Sequence, residues 1–523
     1  MGDHRPEYAQ KGMIWSQNVY ADPTDTTSDV IAADLFLDSG TAGIPIGRFD
    51  FATDKWSLEA TSNIPLPKIK RVAQLMSNVN GGPYRMAGVI LADHSLRGWG
   101  NNSYAQLGQG AWDASTYKTP VVIPGIEENA VPIKWVSAAY CHWVLFDTGV
   151  IYVWGRNTFG ELGVGHTGQV SLPQKVTAPL DGLTIVDISV GYSGTSTTAC
   201  HVLVLTDQGR MFACGWNGFG QLGNGTNTTQ NTFVEIGAGT IWAKIYAIGS
   251  SYGHSFAITT EGDLYAWGFN ALGQLGLGDT TNRNTPTQNT FFGEIGVDHV
   301  SSVTDGASQS NSLRGAHALA LLDNGTVYSW GSNRFGQLGT GNTTPYTTPQ
   351  EIVALGNDNE QVLTAGGYEG SSYVRKTGNT VYSVGYNGWG ALGRAGTTSQ
   401  NAFGEITGAQ EGAIEQMIVV GDTSYQALFL RYANGRVRGC GYNGNGQLGI
   451  GPYPNASTLQ SVPLNTVQFK AVEICAVGTS AEAALGLLTE AGQYLQTGPD
   501  YGVHDQSDSD SQNNVGVPRL ITF

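Results

Sequence analysis

Four histidines, His142, His201, His254 and His317, occupy one equivalent place, just before the inward strand of four repeated units. A ring of imidazoles could in principle ligate a metal, but zinc holds its ligands within about 2.3 Å. Side chains at the same place in separate units stand a unit's width apart. These histidines therefore read as hydrogen-bonding links between units. The acids Asp505, Asp508 and Asp510 offer the hard oxygens that calcium takes, yet the loop glycine and closing glutamate of a calcium motif are missing. That stretch reads as a solvated loop. No Gly-x-Ser-x-Gly, Walker-type loop, His-Glu-x-x-His or close carboxylate pair in a recognisable setting occurs. A glycan-cleaving site would need acids gathered on one pocket, which the repeats do not place in register. The expectation is a non-enzyme with no catalytic residue, no metal and no cofactor.

The five cysteines, Cys141, Cys200, Cys214, Cys440 and Cys475, are odd in number and form no Cys-x-x-Cys pair. Cys214 and Cys440 fall where sister repeats carry tryptophan, which predicts free thiols in a core. With 26 basic against 42 acidic residues the formal net charge is −16. Such a field repels phosphate backbones and anionic lipid, so nucleic acid is not an expected partner. No apolar run approaches the roughly 20 residues that span a bilayer, and Met1 to Gly12 lacks the pattern of a secretory signal. Membrane insertion is not expected.

The elements that position these side chains come from a repeat. The signature Trp-Gly-x-Asn-x-aromatic-Gly-Gln-Leu-Gly returns at Gly100, Gly155, Gly215, Gly268, Gly331, Gly385 and Gly441, at intervals of about 53 to 63 residues. A hairpin precedes each copy, as where Asp323-Asn324-Gly325 turns between two apolar runs. Another apolar strand comes before the hairpin and a short outer segment after the signature. Four strands per unit make the blade of a propeller, and 73 glycines with only 13% charged residues suit such an all-β fold. Counting hairpins adds an eighth unit, Phe469 to Phe523, whose loop has lost the signature. Seven or eight blades are expected.

Through Tyr328-Ser329-Trp330-Gly331-Ser332-Asn333-Arg334-Phe335-Gly336-Gln337-Leu338-Gly339 and its sisters, the chain resembles the regulator of chromosome condensation repeat family over about Ile69 to Phe523. The resemblance implies a closed β-propeller, with members resembling seven-bladed rings, and histidines that lock blade to blade. The family's nucleotide-exchange activity is not carried over, because the acidic balance and the lack of a basic tract speak against a chromatin role.

Within the signature, the site before the second glycine is uniformly bulky in most units, which predicts packing between blades. The site after the first glycine varies as Asn101, Arg156, Trp216, Phe269, Ser332, Tyr386 and Tyr442. A variable loop position suits a binding face, so Trp216, Phe269, Tyr386 and Tyr442 are the candidate ligand-binding residues.

Residues 1–66 lack the repeat, hold ten acidic and four basic side chains, and end in Ile64-Pro65-Leu66-Pro67. Lys11 to Trp15, Asp34 to Thr41 and Ile44 to Asp50 read as short strands with Gly turns. That order resembles the opening of bacteriophage tail-fibre proteins. The resemblance implies a virion tail protein with an N-terminal docking and oligomerisation module at 1–66 and a propeller at 69–523. Its expected partners are other phage tail proteins and a bacterial surface glycan or outer-membrane protein, and a homo-oligomer is expected on the virion. Two alternatives stand beside it: an architectural tail protein without a host ligand, and a cellular propeller that scaffolds or inhibits another protein.

Overall fold

The computed structural model describes residues 86–499 apart from short loop stretches, together with strand backbones between 13 and 57, 72 and 79, and 514 and 521. The acidic loop Asp505 to Asp510 lies outside the described residues. Contacts divide the chain into two compact units, Met1–Lys68 and Ile69–Phe523. In the first, strands Met13–Trp15, Ala32–Leu37, Ile44–Asp50 and Lys55–Ser57 pair in sequence order as an antiparallel meander.

The second unit is a propeller of eight four-stranded antiparallel blades, each built from one continuous stretch. Their inner strands are Val72–Leu75, Pro132–Ala138, Ile185–Tyr192, Trp242–Ile248, Val300–Asp305, Asn359–Ala365, Ile414–Val420 and Ala471–Val477. We number the blades 1 to 8 in that order. Blade 8 has lost the signature and is nevertheless complete, ending in Asn514–Ile521. The ring closes through Ser77–Val79, whose backbone pairs in parallel with the inner strands of both blade 2 and blade 8. Across the same closure, the rings of Trp99 and Tyr494 meet edge to face at 5.6 Å. Several middle strands are buried along their whole length, as in Cys141–Phe146 and Ile151–Gly155. A blade on either side covers both of their faces, so alternation gives way to continuous burial.

The signature is a clasp that fastens each loop to the next blade. In blade 3, Asn217 Oδ1 accepts from the Leu222 amide at 2.9 Å, while its Nδ2 donates to the carbonyls of Thr226 and Thr228. Gln221 Oε1 accepts from the Phe219 amide at 2.9 Å. The loop tip then docks outward, where the Gly225 amide donates to Asn284 O of blade 4 and Asn284 Nδ2 donates back to Gly225 O. Gly220 makes the approach possible, because its φ is +81° and a Cβ there would lie 2.6 Å from Asn284 Cα.

The carbonyl of the signature glutamine position is satisfied from the next blade in all seven loops. Trp154, Trp267 and Trp330 donate Nε1–H to Gln106 O, Gln221 O and Gln274 O at 2.7, 2.9 and 2.7 Å. Where the tryptophan is absent, another donor appears. Cys214 Sγ reaches Glu161 O at 3.4 Å, Ser372 Oγ reaches Gln337 O at 2.8 Å, Cys440 Sγ reaches Ala391 O at 3.5 Å and Thr497 Oγ1 reaches Gln447 O at 2.5 Å. A buried carbonyl left bare would cost roughly 1–3 kcal/mol, which accounts for the substitution of one donor by another. Cys214 and Cys440 thus sit in the tryptophan place as the sequence predicts, and all five cysteines are free and buried.

Volume is balanced inside the blade. Blades 1, 2, 4 and 5 set Trp99, Trp154, Trp267 and Trp330 on the third strand against Pro120, Pro173, Pro286 and Pro349 at one register position of the outer strand. Blades 3, 6 and 7 set the smaller Cys214, Val384 and Cys440 against Phe233, Phe403 and Leu459. The large ring fills the space the indole leaves, since a Cβ on Gly163 would meet Phe233 at 2.4 Å and one on Gly223 would meet Trp267 at 2.8 Å.

Candidate interaction site

Antiparallel order puts the signature loops at one end of every blade and the hairpin turns at the other. The four candidate aromatics all stand on the signature end, and they divide into two groups. Trp216, Tyr386 and Tyr442 are half-buried, whereas Phe269 is only 8% exposed and belongs to the core. The residue two places further on explains the split. Trp216, Tyr386 and Tyr442 are followed by Gly218, Gly388 and Gly444, and each ring lies so close over that glycine that a Cβ would come within 2.9, 2.0 and 2.2 Å of it. Phe269 is followed by Ala271, and its ring turns into the seam between blades instead.

Three of the four candidates also pack across a seam onto the bulky site of the preceding blade, whereas Trp216 packs on Phe219 of its own loop at 5.6 Å. Phe219 meets Phe269 at 5.2 Å, Phe335 meets Tyr386 at 5.2 Å and Trp389 meets Tyr442 at 5.4 Å, all edge to face. A third position completes the cluster and escapes sequence reasoning. Tyr252 and Tyr425 stand two residues before the histidine place and Tyr140 one residue before it, and they stack on or abut Phe219, Trp389 and Tyr104 at 4.8, 6.0 and 4.4 Å. In blade 6 this position is Glu369. Burial, with the Glu369 carboxylate beside it, pushes the Tyr386 phenol up to about 12, so it stays a hydrogen-bond donor at any physiological pH.

The repeated histidines serve the seams. His201 Nε2 pairs with Ser255 Oγ of blade 4 at 3.0 Å, and that hydroxyl donates to Gln221 O at 2.9 Å. His317 repeats the relay through Ser372 to Gln337 O. Burial pushes both His142 and His201 down to about 3, with the neighbouring His254 adding to the effect on His201. His201 is a neutral link between blades, but His142 is not: it pairs with Trp154, one register place beyond His201, His254 and His317, which pair with the signature glycine, and neither of its nitrogens has a hydrogen-bond partner. In blade 2 the histidine place is Cys141, so the expected equivalence of the four histidines holds for three. Glu161 replaces the signature glutamine in blade 2 and is fully buried; desolvation pushes its carboxyl up to about 7. Among the described residues, no three histidine, cysteine, aspartate or glutamate side chains converge as a metal site.

The arrangement defines a propeller: a ring of clasped blades with aromatic edges on its signature end. A family model described as the RCC1-like domain matches residues 53–369, and the chain belongs to that family. It is 29% identical over 319 residues to the ultraviolet-B receptor UVR8 of Arabidopsis thaliana, covering 60% of this chain and 66% of the receptor. It is 30% identical to the secretion-regulating guanine nucleotide exchange factor of Mus musculus, covering 57% of this chain and 61% of that protein. The matched stretch thus spans just under two thirds of the receptor and less of the exchange factor. Among solved structures, yeast RCC1 (Prp20) bound to Kap60 superposes with a TM-score of 0.54 at 16% identity, over 81% of this chain and 92% of that one.

These relatives correct the bacteriophage reading. They are eukaryotic cellular proteins, so the expected virion location, the phage tail partners and the bacterial surface glycan or outer-membrane receptor are all overturned. The misreading has a physical source. Three short strands separated by Gly turns are what any small β-meander contains, whereas the clasp fixes about ten positions at once and recurs seven times. Only the second signal is specific. The blade number is likewise settled at eight, against the seven that the family resemblance implies.

Proposed function

We propose that this chain is a cellular propeller that scaffolds or inhibits another protein, contacting it through the signature end with Trp216, Tyr386 and Tyr442. The observation that carries this reading is the seating of those three rings. Each is partly exposed yet backed by a seam cluster or its own loop glycine. Aromatic anchors that are ordered before binding lose little entropy on contact, which is how a few side chains come to dominate an interface. Phe269 serves beneath this surface as support. A relative named for guanine nucleotide exchange and a solved neighbour described as bound to Kap60 favour protein contact as the shared use of the scaffold. The reading requires no catalytic step by the propeller.

The test compares the wild-type chain with a W216A/Y386A/Y442A variant as bait in eukaryotic cell extract. A partner retained by the first and lost about tenfold by the second, with unchanged melting temperature, supports the reading. Equal retention by both chains sinks it.

A further inference from the structure

A second surface lies at the opposite end of the blades, where the hairpin turns and the linkers between blades gather. Every inner strand carries a register irregularity near its start, seen between Pro132 and Lys134, Ile185 and Asp187, and Ala471 and Glu473 in blades 2, 3 and 8. The residue skipped by the ladder points outward. In these blades it is Ile133, Val186 and Val472, exposed by 45, 47 and 43%. Ile241, in the linker entering blade 4, is 48% exposed and lies against the Gly209 turn of blade 3. Large aliphatic side chains so open to water, at one register of the neighbouring blades 2 and 3 and in the linker beside them, form an apolar arc, with Val472 at the same register one blade removed, beyond blade 1.

The charges around the arc are unbalanced in a particular way. Blades 6 and 7 carry Glu360 and Glu415 at the skipped position, and each has its own cation, Arg375 at 3.5 Å and Arg431 at 2.5 Å. Beside the arc, Asp147, Asp181 and Asp207 are exposed and have no described lysine or arginine within ion-pair distance. Lys134, on blade 2, is committed to Asp187 Oδ1 at 2.6 Å and Ile188 O at 2.9 Å. An apolar arc edged by uncompensated carboxylates, on a chain of net charge −16, complements one chemistry: apolar side chains flanked by lysine or arginine.

We propose that the turn end of blades 2 and 3, with the linker entering blade 4, is a second docking surface that takes a basic amphipathic segment of another protein. Apolar side chains of the segment cover Ile133, Val186 and Ile241, and its cations meet Asp181 and Asp207. This surface is separate from the signature end and stands whether or not the aromatic face binds.

The probe is a labelled synthetic helix with leucines on one face and lysines on the other, titrated into the full chain and followed by fluorescence anisotropy. Saturable binding is expected, weakened about tenfold by I133S/V186S and several-fold by D181N/D207N, with the salt dependence flattened in the second variant. The signature-end variant Y386A should bind like wild type, which separates a failure here from a failure of the aromatic face. Thermal melting of each variant checks that the fold is intact. No saturable binding, equal binding by I133S/V186S, or equal binding of a scrambled peptide of the same composition overturns the proposal.

Discussion

The seam between blades 3 and 4 and the seam between blades 2 and 3 use equivalent positions with different chemistry. At the first, Gln221 O receives both the Trp267 indole and the Ser255 hydroxyl, and Ser255 also pairs with His201. At the second, glutamate replaces glutamine, cysteine replaces tryptophan, valine, Val202, replaces serine, and Cys141 takes the histidine place, its thiol donating to Ala138 O at 3.1 Å. Glu161 O keeps only the thiol of Cys214 at 3.4 Å, Glu161 Oε1 is buried without a hydrogen-bond partner, and so are both nitrogens of His142, which stacks on Trp154 at 5.2 Å. Both seams close on the same backbone geometry. The main-chain hook, Gly165 amide to Asn231 O at 2.7 Å and Gly225 amide to Asn284 O at 2.8 Å, therefore sets the docking, and the side chains set how much it stabilises.

Breaking the stronger seam should have the largest effect. Trp267→Ala removes a fully buried indole and its bond, and should cost about 3–5 kcal/mol in denaturant unfolding. Cys214→Ala at the weaker seam should lose only about 1 kcal/mol. Similar losses at both seams would mean that the side-chain bonds are not what separates them.

Restoring the missing partner comes next. Glu161 is held near 7 in the folded chain against about 4.5 when unfolded, so below pH 4.5 both states are protonated and no penalty exists. As pH rises from about 4.5 to about 7 the unfolded chain ionises while the folded chain stays protonated, and stability on the order of 3 kcal/mol is lost, with no further loss above 7. E161Q should abolish that loss, raising stability at pH 8 and leaving it unchanged at pH 4. His142 and His201 act in the other sense: held near 3, they lower stability as pH falls from about 6.5. That limb should persist in E161Q, so the difference between the two pH profiles isolates the carboxyl.

Volume exchange is subtler. Cys214→Trp alone should overpack blade 3 against Phe233 and cost about 1–3 kcal/mol. Adding Phe233→Pro, the pairing found in blades 1, 2, 4 and 5, should recover much of it, giving a coupling of about 1–2 kcal/mol in a double-mutant cycle. Simple additivity would show that the two sites do not share a space. The smallest effect, about 1 kcal/mol, is expected for Ser255→Ala, which leaves the His201 ring and Gln221 O each one partner short.

Much of this architecture was legible before the structure. The signature spacing, the hairpin turns, the cysteines in tryptophan places and the links made by His201 and His317 follow from the repeat, because each position can be compared with its sisters; His142, one register place further on, does not make the link. Accessibility was harder to read. Phe269 and Tyr386 look alike at the same place, and only Ala271 against Gly388 two residues later distinguishes a ring turned inward from one laid on the loop. Tyr252 and Tyr425 were readable from their spacing to the histidine place, but their value depends on meeting Phe219 and Trp389 across a seam that spacing alone does not reveal. Glu161 differs from its sisters by one functional group, and its shifted ionisation arises from burial that no local pattern records. The phage likeness failed for the opposite reason, since its segments were readable but common.

The exchange of tryptophan plus proline for cysteine or valine plus a larger residue is settled within single blades, between the third strand and the outer strand. That makes the blade a unit of inheritance. A recombination that swaps whole blades at the linkers carries both halves of the trade together and leaves the core filled. One that crosses between those two strands would put indole against phenyl, or thiol against pyrrolidine, and produce a crowded or a hollow seam. Viable chimaeras of this ring should therefore have their breakpoints in the linkers on the turn end, never in the signature loops.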